Sequence, residues 1–150
     1  MRLAAHPFDK ELRRGVVLYY LERKLDDPQR RTRWKYAVVV NFVLPRDPLL
    51  FFRSTSKPVF YSGGEYDRYI LRVPAGTYGF LPENSIFDMK VVEKKPLQVF
   101  RDLHSADQCR CVGDLTAEHL DEIDVKVWAS DLLSLRDIEA ITGKKPKIES

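Results

Sequence analysis

Cysteine is scarce in this chain. Cys109 and Cys111 are the only two in 150 residues. Two residues apart on a strand, they point to the same side but would form a strained bridge. No disulfide framework therefore organises the fold. His104 lies just upstream, but a zinc site needs a fourth ligand at sensible spacing and none is evident. No metal and no cofactor is expected. No apolar run approaches the ~20 residues of a membrane-spanning helix. The segment Met1 to Pro7 lacks the apolar core of a signal peptide. The expectation is a cytoplasmic protein with no membrane partner. Glycine-rich phosphate loops, Gly-x-Ser-x-Gly and His-Glu-x-x-His are all absent. Those absences remove the common nucleotide-loop, esterase and zinc-protease classes. A strong excess of one charge is missing as well. Twenty-five Lys and Arg against 22 Asp and Glu give +3, which permits a polyanionic partner without demanding one.

What is present is enough chain for one domain with its own core, spanning 1–150, with residues 144–150 expected to form a flexible tail. The most informative stretch runs from Arg33 to Ser56. It reads as two apolar strands, Tyr36 to Phe42 and Leu49 to Arg53, joined by a Pro/Asp loop. Runs of this kind, rich in Val and Phe and bounded by Pro and Asp, are typical of strands buried on both faces.

Around this pair the chain alternates strands with irregular connections. Phe8 to Arg14 can form one helical turn or an arm. Val16 to Tyr20 is a first strand by its β-branched and aromatic content. Leu21 to Arg33 is charged, contains Pro28 and has no sustained period, so it reads as a long surface loop. Its end, with Arg30, Arg31, Arg33 and Lys35, is the densest basic cluster in the chain. The cluster is either a solvated charge run or a phosphate contact. Tyr69 to Val73 and Ser85 to Val92 are further strands. Leu97 to Leu103 is a short helix or a strand, and Cys109 to Val112 is one more strand ended by Gly113. Then Thr116 caps a helix with Leu120, Ile123 and Val127 on one face. A second helix follows Ser134 and stops at Gly143. Strands first and helices last predict a mainly β, α+β protein: a small antiparallel barrel with C-terminal helices.

On that frame the polar residues converge. Arg33 and Lys35 stand at the entrance of the second strand. Arg53, Ser54, Thr55 and Ser56 stand at the exit of the third, at the same end of an antiparallel pair. Fixed cations beside fixed hydroxyls can bind a phosphodiester. Cleavage of RNA by its own 2′-hydroxyl needs no metal. It needs a base, a donor for the leaving oxygen and a cation near the phosphorane charge. Asp88 or a histidine can move the proton. Aromatics interleaved with basic residues, Trp34 and Tyr36 among them, can stack unpaired bases, although core or interface packing is their commoner fate.

The order of these segments resembles a known family. The first strand from Gly15 to Leu18 and a long basic loop are followed by "WKYAVVVN", "LLFFRSTSK", "RYILRVPAG", "FLPENSIFDM" and "VGDLTAEHLDEI". Together they look like the MazF/PemK-type toxins, over about residues 15 to 127. The resemblance implies an SH3-like barrel, commonly dimeric. It implies a metal-independent endoribonuclease of a toxin–antitoxin pair, which cuts single-stranded RNA through a 2′,3′-cyclic phosphate and is restrained by an acidic antitoxin. Carried over residue by residue, Lys35, Arg33, Thr55 and Asp88 are the catalytic candidates. Arg30, Arg31, Arg53, Ser54 and Ser56 are the RNA-binding ones. Two departures stand out. Lys35 occupies the place of an Arg, which keeps the charge and loses the planar fork, and Tyr36 replaces a Pro. A non-catalytic barrel that binds nucleic acid or a protein partner is the alternative.

Overall fold

Alternating side chains on three neighbouring strands decide the layout. The computed structural model describes residues 6–23, 32–55 and 64–145. The elements are α1 (Pro7–Glu11), β1 (Val16–Arg23), β2 (Thr32–Val39), β3 (Leu49–Thr55), a 3-10 turn (Gly64–Tyr69), β4 (Ile70–Val73), β5 (Ser85–Asp88), β6 (Glu93–Lys95), α2 (Leu97–Ser105), β7 (Cys109–Asp114), α3 (Ala117–Trp128) and α4 (Leu135–Thr142). Among the described residues no helix is long and apolar enough to cross a membrane.

Val16, Leu18 and Tyr20 of β1, Ala37 and Val39 of β2, and Leu49 and Phe51 of β3 point to one side. There they meet Phe8 from α1 and Leu97 and Phe100 from α2. Val17, Val38, Leu50 and Phe52 point to the other side, where Leu71 of β4, Phe87 of β5, Ile123 and Val127 of α3, and Ile138 and Ile141 of α4 close over them. The central strands are thus buried on both faces, as their apolar runs predict. Each buried Phe or Leu side chain contributes about 1.5–3 kcal/mol over its exposed state.

The sheet is antiparallel in every ladder, in the order β4-β5-β3-β2-β1-β7, with β6 paired to the first half of β3. The end strands β4 and β7 are linked by side chains carried on the loop after β4. The Tyr78 hydroxyl accepts from Thr116 N at 2.8 Å, and the Phe80 ring lies where a Cβ on Gly113 would stand, 2.4 Å from its nearest atom. This is the antiparallel α+β architecture with C-terminal helices anticipated from the element order. Gly113→Ala is expected to cost about 1–3 kcal/mol, the usual range for overpacking. Urea unfolding measures the loss, and Phe80→Ala in the same background is expected to recover part of it.

Several boundaries differ from the sequence expectation. β2 starts at Thr32 rather than Tyr36 and stops at Val39 rather than Phe42. The reason is pairing: β1 runs on to Arg23, and its register sets Leu21 opposite Trp34, Glu22 opposite Arg33 and Arg23 opposite Thr32. Arg33 and Lys35 are therefore inside a strand, and Leu21 to Arg23 are strand rather than loop. β3 continues past Arg53, because Ser54 and Thr55 pair with Phe87 and Ile86. The expected strand from Ser85 to Val92 stops at Asp88, and the next strand starts only at Glu93. Asp88 Oδ1 accepts from Lys90 N at 2.9 Å and makes a turn. The chain then returns as β6 on an earlier part of β3. Leu97 to Leu103 is helical, and Gly113 is inside β7, opposite Val17, rather than at its end.

The helix ends follow the expected chemistry. Thr116 and Ser134 accept from backbone N–H groups in the first turns of α3 and α4, and Gly143 closes α4 at φ 71°. On the opposite face Arg101 of α2 donates to both carboxylate oxygens of Asp9 in α1, at 2.9 and 2.6 Å. These bonds hold the Asp9 carboxyl below its ordinary value, with burial acting against them. A depressed carboxylate stabilises the fold above its unfolded pKa of ~3.9 and loses that contribution as pH falls through the folded value. Asp9→Asn is therefore expected to destabilise the protein at pH 7 and to flatten the decline in stability at acid pH, read from urea midpoints at both pH values.

Candidate functional site

The sheet forks where the ladder between β2 and β3 ends. Paired residues run from Val39 with Phe51 to Ala37 with Arg53 and stop there. Continuing the register would set Lys35 opposite Thr55. Instead β2 stays with β1, while β3 turns to β5. A cavity of about 220 Å³ opens in the fork. Lys35, Ser54 and Thr55 line it, so three of the residues expected from the sequence are brought together. Tyr19, Trp34, Tyr36, Glu83 and Ser85 complete the polar and aromatic wall.

The aromatic side of the cavity is built by register. Tyr19 and Tyr36 are direct cross-strand partners, with ring centroids 4.5 Å apart. Trp34, two residues before Tyr36 on the same face, stacks on Tyr19 at 4.8 Å and 22°. Trp34 remains 38% exposed, which leaves ring surface open to a ligand. Burial pushes the Tyr36 phenol above its ordinary pKa; Tyr19 and Glu83 act in the same direction and Arg110 acts against them. Arg110 stands across from Tyr19 on β7, so a cation flanks the platform on its far side.

Other expected residues are placed elsewhere. Arg33 is exposed opposite Glu22 and does not line the cavity. Arg53 is engaged on the face that packs on α2. Its guanidinium pairs with Glu22 and approaches Glu93 at 3.8 Å, and the Tyr20 hydroxyl donates to the same Glu22 carboxylate at 2.9 Å. The small side chain of Ala37, beside Arg53 in the register, leaves room for that reach. Arg53 Nε is buried with no partner among the described residues. Asp88 lies at the far end of β5, ~10 Å from Ser85 along the strand. It is paired to Lys90 at 3.7 Å. Arg30, Arg31 and Ser56 lie outside the described residues, as do residues 146–150 of the expected tail.

Glu83, just before the strand expected from Ser85, is the acidic residue of the cavity among the described residues. The signal that identifies it is long-range. β5 pairs with the Thr55 end of β3, so the turn that leads into β5 is carried to the fork. Ser85 is held there by donating to Glu83 O at 3.1 Å.

The three histidines of the chain do not line the fork. His119 Nδ1 is 2.5 Å from the Tyr78 hydroxyl. His104 faces Glu11 at 3.0 Å. His6 Nδ1 accepts from Phe8 N and its Nε2 lies 3.0 Å from Ser105 Oγ. That bond fixes the proton of neutral His6 on Nε2, so His6 donates to Ser105 and cannot take its proton. Cys109 and Cys111 are free thiols on the α2 face, each pushed up to about 12 by burial. Among the described residues no group of three or more His, Cys, Asp and Glu is placed to hold a metal ion.

Chemically, the fork offers an aromatic surface, an ammonium, two hydroxyl side chains from β3 and a carboxylate within one small cavity. No family model matches the chain, and no curated protein matches it.

Proposed function

We propose that the fork between β2 and β3 binds single-stranded RNA. The observation that carries this reading is the stack of Tyr19, Trp34 and Tyr36 beside Lys35, Ser54 and Thr55 in one cavity. An unpaired base stacks on an aromatic platform, and the adjoining phosphate is met by an ammonium and hydroxyl donors. A cavity of about 220 Å³ holds a nucleobase and leaves the rest of the strand outside.

A second reading, cleavage of the bound strand, is favoured by the presence of Lys35 and Glu83 in the same cavity. Attack by the 2′-hydroxyl on the neighbouring phosphorus gives a 2′,3′-cyclic phosphate and a free 5′-hydroxyl. Glu83 takes the proton of the attacking hydroxyl, the Lys35 ammonium faces the phosphorane charge and gives a proton to the leaving 5′-oxygen as its bond to phosphorus breaks, and Thr55 donates to a phosphoryl oxygen. In this scheme Glu83 replaces Asp88 as the proton acceptor, and Lys35 serves in place of the arginine that the resemblance to the MazF/PemK-type toxins implies. That resemblance also supports a toxin-like setting, with a homodimer and an acidic antitoxin covering the fork.

The experiment is a titration of fluorescently labelled single-stranded RNA at several salt concentrations, followed by incubation of mixed RNA in EDTA. Binding is expected to weaken as salt rises, with a slope of about −0.7 per phosphate contacted. Cleavage is expected to leave cyclic-phosphate ends and to disappear in Lys35→Ala. Binding without cuts retains the first reading and discards the second. No salt-sensitive binding, or identical cuts from wild type and Lys35→Ala, removes the fork from consideration.

A further inference from the structure

A second recess lies at the other end of β3. It measures about 650 Å³ and is enclosed by the loop 41–48, β6 and α4. Leu50 borders it, whereas Thr55 borders the fork. Five residues of strand separate the two by ~17 Å.

Its walls are fixed by contacts that use most of their polar groups. Asn41 is 3% exposed; its amide donates to Pro48 O at 3.1 Å and accepts from Leu50 N at 2.8 Å. Asp47 accepts from Leu97 N at 2.9 Å, tying the loop to α2. Phe42 N donates to Ala140 O at 2.9 Å, and the Phe42 ring lies against Gly143, 2.6 Å from where a Cβ would stand. Lys94 is paired to Asp137 at 2.7 Å, tying β6 to α4. With the amide, Asp47, Lys94 and Asp137 engaged, the charged side chains left over in the wall are Arg46, Arg136 and Glu139. None of the three has a side-chain bond among the described residues. The charges of the wall balance, Arg46, Lys94 and Arg136 against Asp47, Asp137 and Glu139, but two guanidinium groups and one carboxylate are the ones left to meet a ligand. Phe42 and Val43 are 56% and 53% exposed and supply apolar surface beside them.

We propose that this recess binds a small organic anion, a carboxylate, sulfonate or phosphate ester that carries an aromatic or acyl group. Guanidinium groups recognise such headgroups with parallel donors. The volume lies within the range usual for small-molecule sites. The anion sits between Arg46 and Arg136, and its apolar part covers Phe42 and Val43. Glu139 sets the selectivity, repelling a second negative charge and limiting affinity for the first. This site is independent of the RNA reading, since it shares no residue with the fork.

The test uses two probes with one ring and opposite charge, 2-naphthoate and 2-naphthylmethylammonium, titrated into the full chain by calorimetry. Saturable binding of 2-naphthoate is expected, with the ammonium binding weakly or not at all. Arg46→Ala with Arg136→Ala is expected to weaken 2-naphthoate by about tenfold or more, the scale of a lost charge-assisted contact, and Glu139→Gln to tighten it. All three side chains are unbonded, so these variants are expected to fold, and near-UV circular dichroism checks that they do. Absence of 2-naphthoate binding, equal binding of both probes, or binding unchanged in the double arginine variant overturns the proposal.

Discussion

Phe100→Ala is expected to destabilise the protein by about 3–5 kcal/mol, the cost of a large aromatic deletion in a closed core. Phe100 is fully buried. It stacks on Phe8 at 6.0 Å and meets Tyr20 and Phe51 edge to face, each at 5.5 Å. The ring thereby joins α1, α2, β1 and β3. Collapse of the gap is resisted because β1 and β3 are held from the other side by the larger core. A loss of this size is a large part of the total stability of a domain this small, ~5–15 kcal/mol. Urea unfolding of the two proteins gives the number. A loss under ~1 kcal/mol, the level of an unremarkable substitution, would mean that the α2 face is not a packed core.

The second large effect belongs to the fork. Trp34→Ala is expected to weaken single-stranded RNA binding by about 1–3 kcal/mol, the worth of one base on one aromatic ring. That is about 5- to 150-fold in affinity. Trp34 is exposed enough that its loss leaves both cores intact. Lys35→Ala is expected to act differently. It removes a phosphate contact, so affinity falls for all sequences alike and the salt slope becomes shallower by about 0.7. Anisotropy titrations at several salt concentrations separate the two. Equal slopes for wild type and Lys35→Ala would place the ammonium away from the phosphate.

Much of this architecture is local and therefore legible in the chain. Val38 to Val40 and Leu49 to Phe52 announce strands buried on both faces, and both cores meet on them. Thr116, Ser134 and Gly143 mark helix ends because capping depends on residues within one turn. That Lys35 and Thr55 come to the same end of the sheet is also local, since a hairpin sets the entrance of one strand beside the exit of the next, although the strands part before the two residues pair. What escaped reading is carried by pairings far apart in sequence. Thr32 and Arg33 look like the end of a charged loop until β1 is seen to extend beside them. Arg53 looks like a cation at a strand exit, but Glu22, 31 residues away, holds its guanidinium on the opposite face. Asp88 is on the strand that the motif points to, at the wrong end of it. Glu83 reaches the fork through the pairing of β5 with β3, which no local pattern encodes.

The most direct test of the central claim is a backbone amide correlation spectrum recorded during titration with a short single-stranded RNA. Shifts are expected at Tyr19, Trp34, Lys35, Ser54, Glu83 and Ser85, on the strands and turn that meet at the fork. An unchanged spectrum, or shifts confined to the 41–48 loop and α4, would contradict it.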